Sequence, residues 1–161
     1  MNDGTTKELL FQFGERFRLS KSRIQSTMKG RPFCVLESTN DVDGHFLCHL
    51  TNQESLAVES QFRFVHECER LAEIQCPSFS VPESFGVEHG YAYAISKKIS
   101  GQRVSEINGA IERRDAVTVV IDIVRALLAI HDLGINYRRV VGDNVVVENG
   151  RATLALSLIH I

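Results

Sequence analysis

The chain contains no run of about eighteen apolar residues free of charge, which is what a membrane-spanning helix requires. Its start, Met-Asn-Asp-Gly-Thr-Thr-Lys-Glu, lacks a basic stretch followed by an apolar one, so no secretory signal is read there. An excess of charge of one sign is missing too. A net charge of −2 over 161 residues gives no basic footprint for nucleic acid. The four cysteines, Cys34, Cys48, Cys68 and Cys76, form no C-x-x-C pair, and no histidine stands at finger spacing. A zinc site is therefore not expected. Three of the four fall inside apolar strand or helix patterns, where a reduced thiol acts as a small core residue. Unpaired core thiols imply a cytoplasmic protein. Apolar content of 43% and charged content of 24% describe one globular domain.

What is present is a succession of short periodic segments. Residues 1–16 carry Leu9, Leu10, Phe11 and Phe13 among polar neighbours, a lead-in whose type the pattern leaves open. From Phe17 to Ile24 apolar and polar side chains alternate, which predicts a half-buried strand. Further strands are predicted at Phe33–Glu37 and Phe46–Leu50, joined by the turn chemistry of Asn40-Asp41-Val42-Asp43-Gly44. A helix is predicted over Glu59–Ile74, with Phe62, Val65, Leu71 and Ile74 as its apolar face and Pro77 and Pro82 beyond its end. Two short strands follow near Phe85–Glu88 and Tyr91–Ser96, around His89-Gly90, and then a linker over 97–102.

A second helix is predicted over Ala116–Leu133, with Asp115 as N-cap and Gly134 as its stop. Thr118, Asp122, Arg125 and Asp132 trace one polar stripe, and the other faces are apolar. A helix apolar on most of its surface is expected to be central and buried. After it comes Ile-Asn-Tyr-Arg-Arg-Val-Val-Gly-Asp-Asn-Val-Val-Val-Glu-Asn-Gly, residues 135–150.

This last stretch resembles the protein-kinase catalytic loop, H-R-D-x-x-x-x-N, followed by a short hairpin. Arg138 falls on the motif's Arg and Asn144 on its Asn, while Tyr137 stands for the His and Arg139 for the catalytic Asp. The order of elements is similar to a kinase small lobe, hinge and first large-lobe elements. His49 to Glu67 is 18 residues and Glu67 to Arg139 is 72, close to the intervals separating the family's strand-three Lys, helix-C Glu and catalytic Asp. The resemblance implies an α+β, protein-kinase-like fold: a five-stranded antiparallel sheet with one helix, then a truncated, mostly helical large lobe. The expected divisions are a lead-in over 1–16, the small lobe and hinge over 17–99 and part of the large lobe over 100–155. The last six residues, Leu-Ser-Leu-Ile-His-Ile (156–161), resemble a translated transposase sequencing adapter ending at its stop codon. They are set apart from the fold reasoning, and the native chain is expected to continue.

The resemblance also shows which chemistry is altered. The family's catalytic Asp accepts the substrate hydroxyl proton; Arg139 has no acceptor lone pair. Its strand-three Lys contacts the phosphates and pairs with the helix-C Glu. Here His49 takes that place, opposite Glu67 as its candidate partner, and an imidazole is mostly neutral near pH 7. Leu47 replaces the small residue above adenine. The loop of 25–32 has one glycine, Gly30, beside Pro32, and cannot reproduce a cradle of backbone N–H groups around phosphates. Val35 and Val146 complete the implied nucleotide contacts. Asn144 is the implied magnesium ligand, and the second one would fall near Leu156. The expected function is that of a pseudokinase, a binding or regulatory module with weak or absent ATP and magnesium binding. Its expected partner is a protein or the rest of the same large lobe, not nucleic acid or membrane. One alternative is a divergent ATP-dependent phosphotransferase, truncated before its D-F-G, in which Asp143 serves as base. Another is an interaction domain that binds no nucleotide.

Overall fold

Alternating side chains in the first half of the chain produce a sheet, as expected. The computed structural model describes residues 33–40, 44–52, 58–88, 91–109, 111–137 and 139–156. Strands β1 (Phe33–Asn40), β2 (Gly44–Asn52), β3 (Pro82–Glu88) and β4 (Tyr91–Lys97) form one antiparallel sheet in the order β1-β2-β4-β3. These are four of the five expected strands. The fifth, over 17–24, lies outside the described residues, as do the lead-in and Gly30. Pairing Asn40 with Gly44 closes the first hairpin where the Asn/Asp/Gly cluster predicts it.

Helix α1 (Val58–Ala72) packs on β3 and β4. Its buried row is Phe64, Cys68 and Leu71, at spacings of four and three, which is one helical stripe. The expected face began at Phe62, and this is a correction: Phe62 is 73% exposed. Two residues turn a helix by about 200°, so Phe62 and Phe64 cannot share a side. Burial and the neighbouring carboxylates Glu67 and Glu69 push the Cys68 thiol up to about 12. It is a core residue, as the cysteine pattern predicts, and not a reactive thiol. Cys76, too, is free of disulfide.

Helix α2 (Arg113–Asp132) begins earlier than its sequence signal. Glu112 occupies the N-cap without a side-chain cap hydrogen bond, and Asp115 lies within the first turn, so the expected cap at Asp115 is corrected. A carboxylate there still meets the positive end of the helix dipole. The C-terminal stop is where expected: Gly134 takes φ +67° and its N–H donates to the His131 carbonyl at 2.7 Å. Burial of this helix is one-sided, as expected of a large lobe cut short, in which the long helix is left partly uncovered. Val119, Asp122, Ala126 and Ile130 face inward, whereas Val117, Val120, Ile121, Val124 and Leu128 are 44–58% exposed. Asp122, read as part of the polar stripe, is fully buried.

Beyond the first sheet, β5 (Gln102–Arg103), β6 (Val145–Glu148) and β7 (Arg151–Leu154) form a second antiparallel sheet in that order. Strand β5 lies at the end of the segment read as a linker. Asn149 and Gly150, at φ +50° and +72°, make the two-residue turn between β6 and β7. The segment after α1 joins the two halves. Leu154 donates its N–H to Ser78 and accepts one from Ser80, at 2.8 and 3.0 Å, and Phe79 bridges to Leu154 in parallel. One cluster of buried side chains runs from Phe64, Cys68 and Leu71 through Phe79 to Ile130, Val145, Ala152 and Leu154.

Gly101, at the entry to β5, makes this join tight. Its φ of +118° is one that L side chains rarely adopt, and a Cβ there would stand 2.4 Å from the Val147 carbonyl oxygen. Gly101→Ala is expected to cost about 1–3 kcal/mol of stability, measurable as a lower urea midpoint. An unchanged midpoint would show that β5 bends away freely.

Candidate functional site

The loop between α2 and β6 is held at both ends by its own sequence. Ile135 is buried at the entry, and the 3-10 turn Gly142–Asn144 leads into β6, whose Val145 and Val146 are buried. Between them, the Tyr137 hydroxyl donates to the Ala155 carbonyl at 2.9 Å. Burial pushes the phenol well above its ordinary value, and the Asn144 side chain opposes that in part. The Ala155 N–H in turn donates to the Asn144 carbonyl at 2.7 Å.

The other expected site residues fall as follows. Arg139 is exposed on this loop; Arg138 lies outside the described residues. Asp143 is exposed and accepts a hydrogen bond from the Ser105 hydroxyl at 2.5 Å. The two 3-10 turns that carry these residues, Val104–Glu106 and Gly142–Asn144, pack closely. A Cβ on Gly142 would lie 2.9 Å from the Ser105 nitrogen. Val146 sits opposite Arg103 of β5. In the first sheet His49 pairs with Val35 on one side and Ala94 on the other, and Leu47 pairs with Ser96. The Glu67 carboxylate accepts from Arg63 Nε, one helical turn earlier, at 2.7 Å.

Two groups of residues important to this region escape the motif reading. Arg70 donates from its guanidinium to the Leu133 carbonyl at the C-terminal end of α2, where a cation complements the helix dipole. Arg151 grips Asp122 through two bonds of 2.7 and 2.9 Å, and the Ala152 N–H adds a third at 3.1 Å. The Arg151 guanidinium, with help from the Ala152 N–H and the Ser78 hydroxyl, holds the Asp122 carboxyl below its ordinary value against the effect of burial. The sequence signal for Asp122 was visible as a carboxylate in an apolar helix, but its partner lies 29 residues away.

No protein-family model matches the sequence, and no curated protein matches it. Solved structures do match. The Mycobacterium tuberculosis PknI kinase domain superposes with a TM-score of 0.62 at 18% identity, over 84% of this chain and 62% of that one. Rad53 residues 1–466, solved in complex with AMP-PNP, superposes with a TM-score of 0.65 at 16% identity, over 90% of this chain and 42% of that one. The fold is kinase-like. The chain spans less than two thirds of either neighbour, and at these identities the likeness concerns the fold alone.

Within that fold the donor set beside Asn144 does not suit magnesium. Magnesium is bound through one or two carboxylates. Asp143, the carboxylate beside Asn144, accepts instead from the Ser105 hydroxyl. Among the described residues no three His, Cys, Asp or Glu side chains gather where they could hold a metal. No helix of the described residues is long and apolar enough to cross a membrane.

Proposed function

We propose that this chain is part of a kinase-like domain acting as a binding or regulatory module without phosphoryl transfer. The observation that carries the reading is Arg139, a guanidinium at the position where the fold family places its proton acceptor. Such a group stays protonated and takes no proton from a hydroxyl. The pairing of Glu67 with Arg63 supports it further, since the helix carboxylate that would orient a phosphate-binding cation already has a partner on its own helix. In this reading the exposed side of α2 meets the rest of a large lobe or a protein partner. Neither nucleic acid nor membrane is the partner, and the protein works in the cytoplasm.

ATP with magnesium is expected to bind no more tightly than about millimolar, roughly −4 kcal/mol. Titration calorimetry on the chain tests this, alongside a phosphoryl-transfer assay on mixed protein and small-molecule hydroxyl acceptors. Micromolar binding lost in Glu67→Gln, or transfer above background, would overturn the reading. The likeness to a protein solved with AMP-PNP favours a second one, a divergent ATP-dependent phosphotransferase in which Asp143 serves as base. In that case Asp143→Asn would abolish the transfer. Complete absence of binding would instead favour an interaction domain that takes no nucleotide.

A further inference from the structure

The turn Val104–Glu106 stands between two extended residues, Arg103 and Ile107, and none of its own residues is buried. The Ile107 N–H donates to the Val104 carbonyl at 3.3 Å, and the Gln102 side chain donates to the Glu106 carbonyl at 2.8 Å. Ser105, at the centre of the turn, is exposed, and its hydroxyl donates to the Asp143 carboxylate at 2.5 Å. This bond joins the segment after the first sheet to the loop that carries Arg139 and Asn144. The fit between the two turns is close. A Cβ on Gly142 would stand 2.9 Å from the Ser105 nitrogen and 3.2 Å from the Ser105 Cβ. The contact has room for a hydroxyl and not for a larger group.

We propose that Ser105 is a phosphorylation site, and that its modification parts the two turns and frees the loop 139–144. Three features meet there. The hydroxyl is exposed on a turn that can lift without uncovering a core residue. Arg103, two residues earlier, offers a cation to the acidic substrate groove of an arginine-directed serine kinase. The partner of the hydroxyl is a carboxylate, so modification turns an attraction into a repulsion. A separate kinase of that class supplies the group from ATP. The bond from the γ-phosphorus to the β,γ-bridging oxygen breaks and a bond from that phosphorus to Ser105 Oγ forms. ADP leaves, and the hydroxyl proton passes to the base of the modifying kinase. The product carries a charge of about −2 at pH 7 and has lost the proton that Asp143 accepted. Asp143 lies in contact with it, Glu106 is next in sequence, and Arg103 offsets a single unit of charge. A phosphate placed beside such carboxylates disrupts by like-charge repulsion. The inference goes beyond the functional reading above and holds whether or not the loop transfers phosphate.

The test starts with the full chain, ATP, Mg²⁺ and a constitutively active arginine-directed serine kinase, followed by peptide mapping in a mass spectrometer. Phosphate is expected on Ser105, and its incorporation is expected to slow about fivefold in Arg103→Gln, the effect of one lost charge pair. Amide hydrogen exchange, followed by nuclear magnetic resonance at neutral pH, then reads the contact. The reporters are the Ile107 N–H and the Asn144 N–H, which donates to the Val141 carbonyl at 2.9 Å. Phosphorylation is expected to speed exchange at both about tenfold, while amides in β3 and β4 are unchanged. In Asp143→Asn the side-chain amide can donate to the phosphate, so the acceleration is expected to shrink to about twofold or less. Ser105 left unmodified, or modified just as fast in Arg103→Gln, would overturn the proposal. So would phosphorylation that leaves both amides unchanged, or that speeds them equally in wild type and Asp143→Asn.

Discussion

Asp122→Ala is expected to lower the melting temperature by about 10 °C. The carboxylate is wholly buried and accepts two bonds from Arg151 and one from the Ala152 N–H. Breaking an ion pair buried at both ends costs about 3–5 kcal/mol. Here the Arg151 side chain is 62% exposed and rehydrates once released, so the loss comes from the other end. It comprises the unsatisfied Ala152 N–H, the lost charge-assisted bonds and the void left in α2. About 2–3 kcal/mol is the reasonable size, and for a chain of this length each kcal/mol moves the midpoint by roughly 3–4 °C. Asp122→Asn keeps the shape and one acceptor and is expected to lose less.

The acid dependence has a definite sign. The folded-state value of Asp122 lies below its ordinary 3.8. Its contribution is complete above that value and drains away as pH falls through the lower folded-state one. The gap in stability between wild type and Asp122→Ala should therefore stay constant from neutrality down to about pH 5 and narrow only in stronger acid. Thermal unfolding of both proteins across this range checks it. A gap that widened in acid would mean that the carboxylate is not held in its charged form.

The chain of 161 residues is expected to self-associate and to bind a dye for apolar surface. Val117, Val120, Ile121, Val124 and Leu128 leave 44–58% of their surface open along one side of α2. Full burial of each such side chain is worth about 1.5–3 kcal/mol. Covering five that are half-exposed is then worth on the order of 5 kcal/mol, comparable with the total stability of many domains. Contiguous apolar surface of this kind drives association. Val120→Glu, Val124→Glu and Leu128→Glu together place charges one turn apart on that side. They are expected to restore a monomer and remove dye binding without lowering the melting temperature, because no inward-facing residue changes. Sedimentation and dye fluorescence before and after substitution decide the matter. A wild-type chain that is monomeric and dye-silent would show that this surface is tolerated bare.

Most of the elements were legible in the sequence because their signals are local. Alternation at period two marks β1 and β2, the Asn-Gly pair at 149–150 marks a hairpin, and Gly134 marks a helix end. These depend on the residues themselves and their nearest neighbours. The spacing of His49, Glu67 and Arg139 carried the kinase-like architecture, since chain intervals between elements reflect how those elements are stacked. The departures at positions 49 and 139 were equally plain, because a side chain's acid–base chemistry is set by its identity.

The tertiary structure alone decided which side of each helix is buried and which groups become partners. In α2 the polar stripe includes Asp122, yet Asp122 is turned inward, because the outcome depends on what lies opposite. Arg151 and the Ala152 N–H arrive there from β7 and make burial of a carboxylate favourable. A shift of two positions in α1 separates the exposed Phe62 from the buried Phe64, because the sheet accepts only the stripe through Cys68 and Leu71. Glu67 found Arg63 by proximity along one helix, whereas the Tyr137 hydroxyl met the Ala155 carbonyl only because the chain folds back on itself. Local pattern therefore determined the elements and their order. Burial, charge pairing and loop closure waited for residues distant in sequence to meet, since their energies depend on the neighbours that replace water.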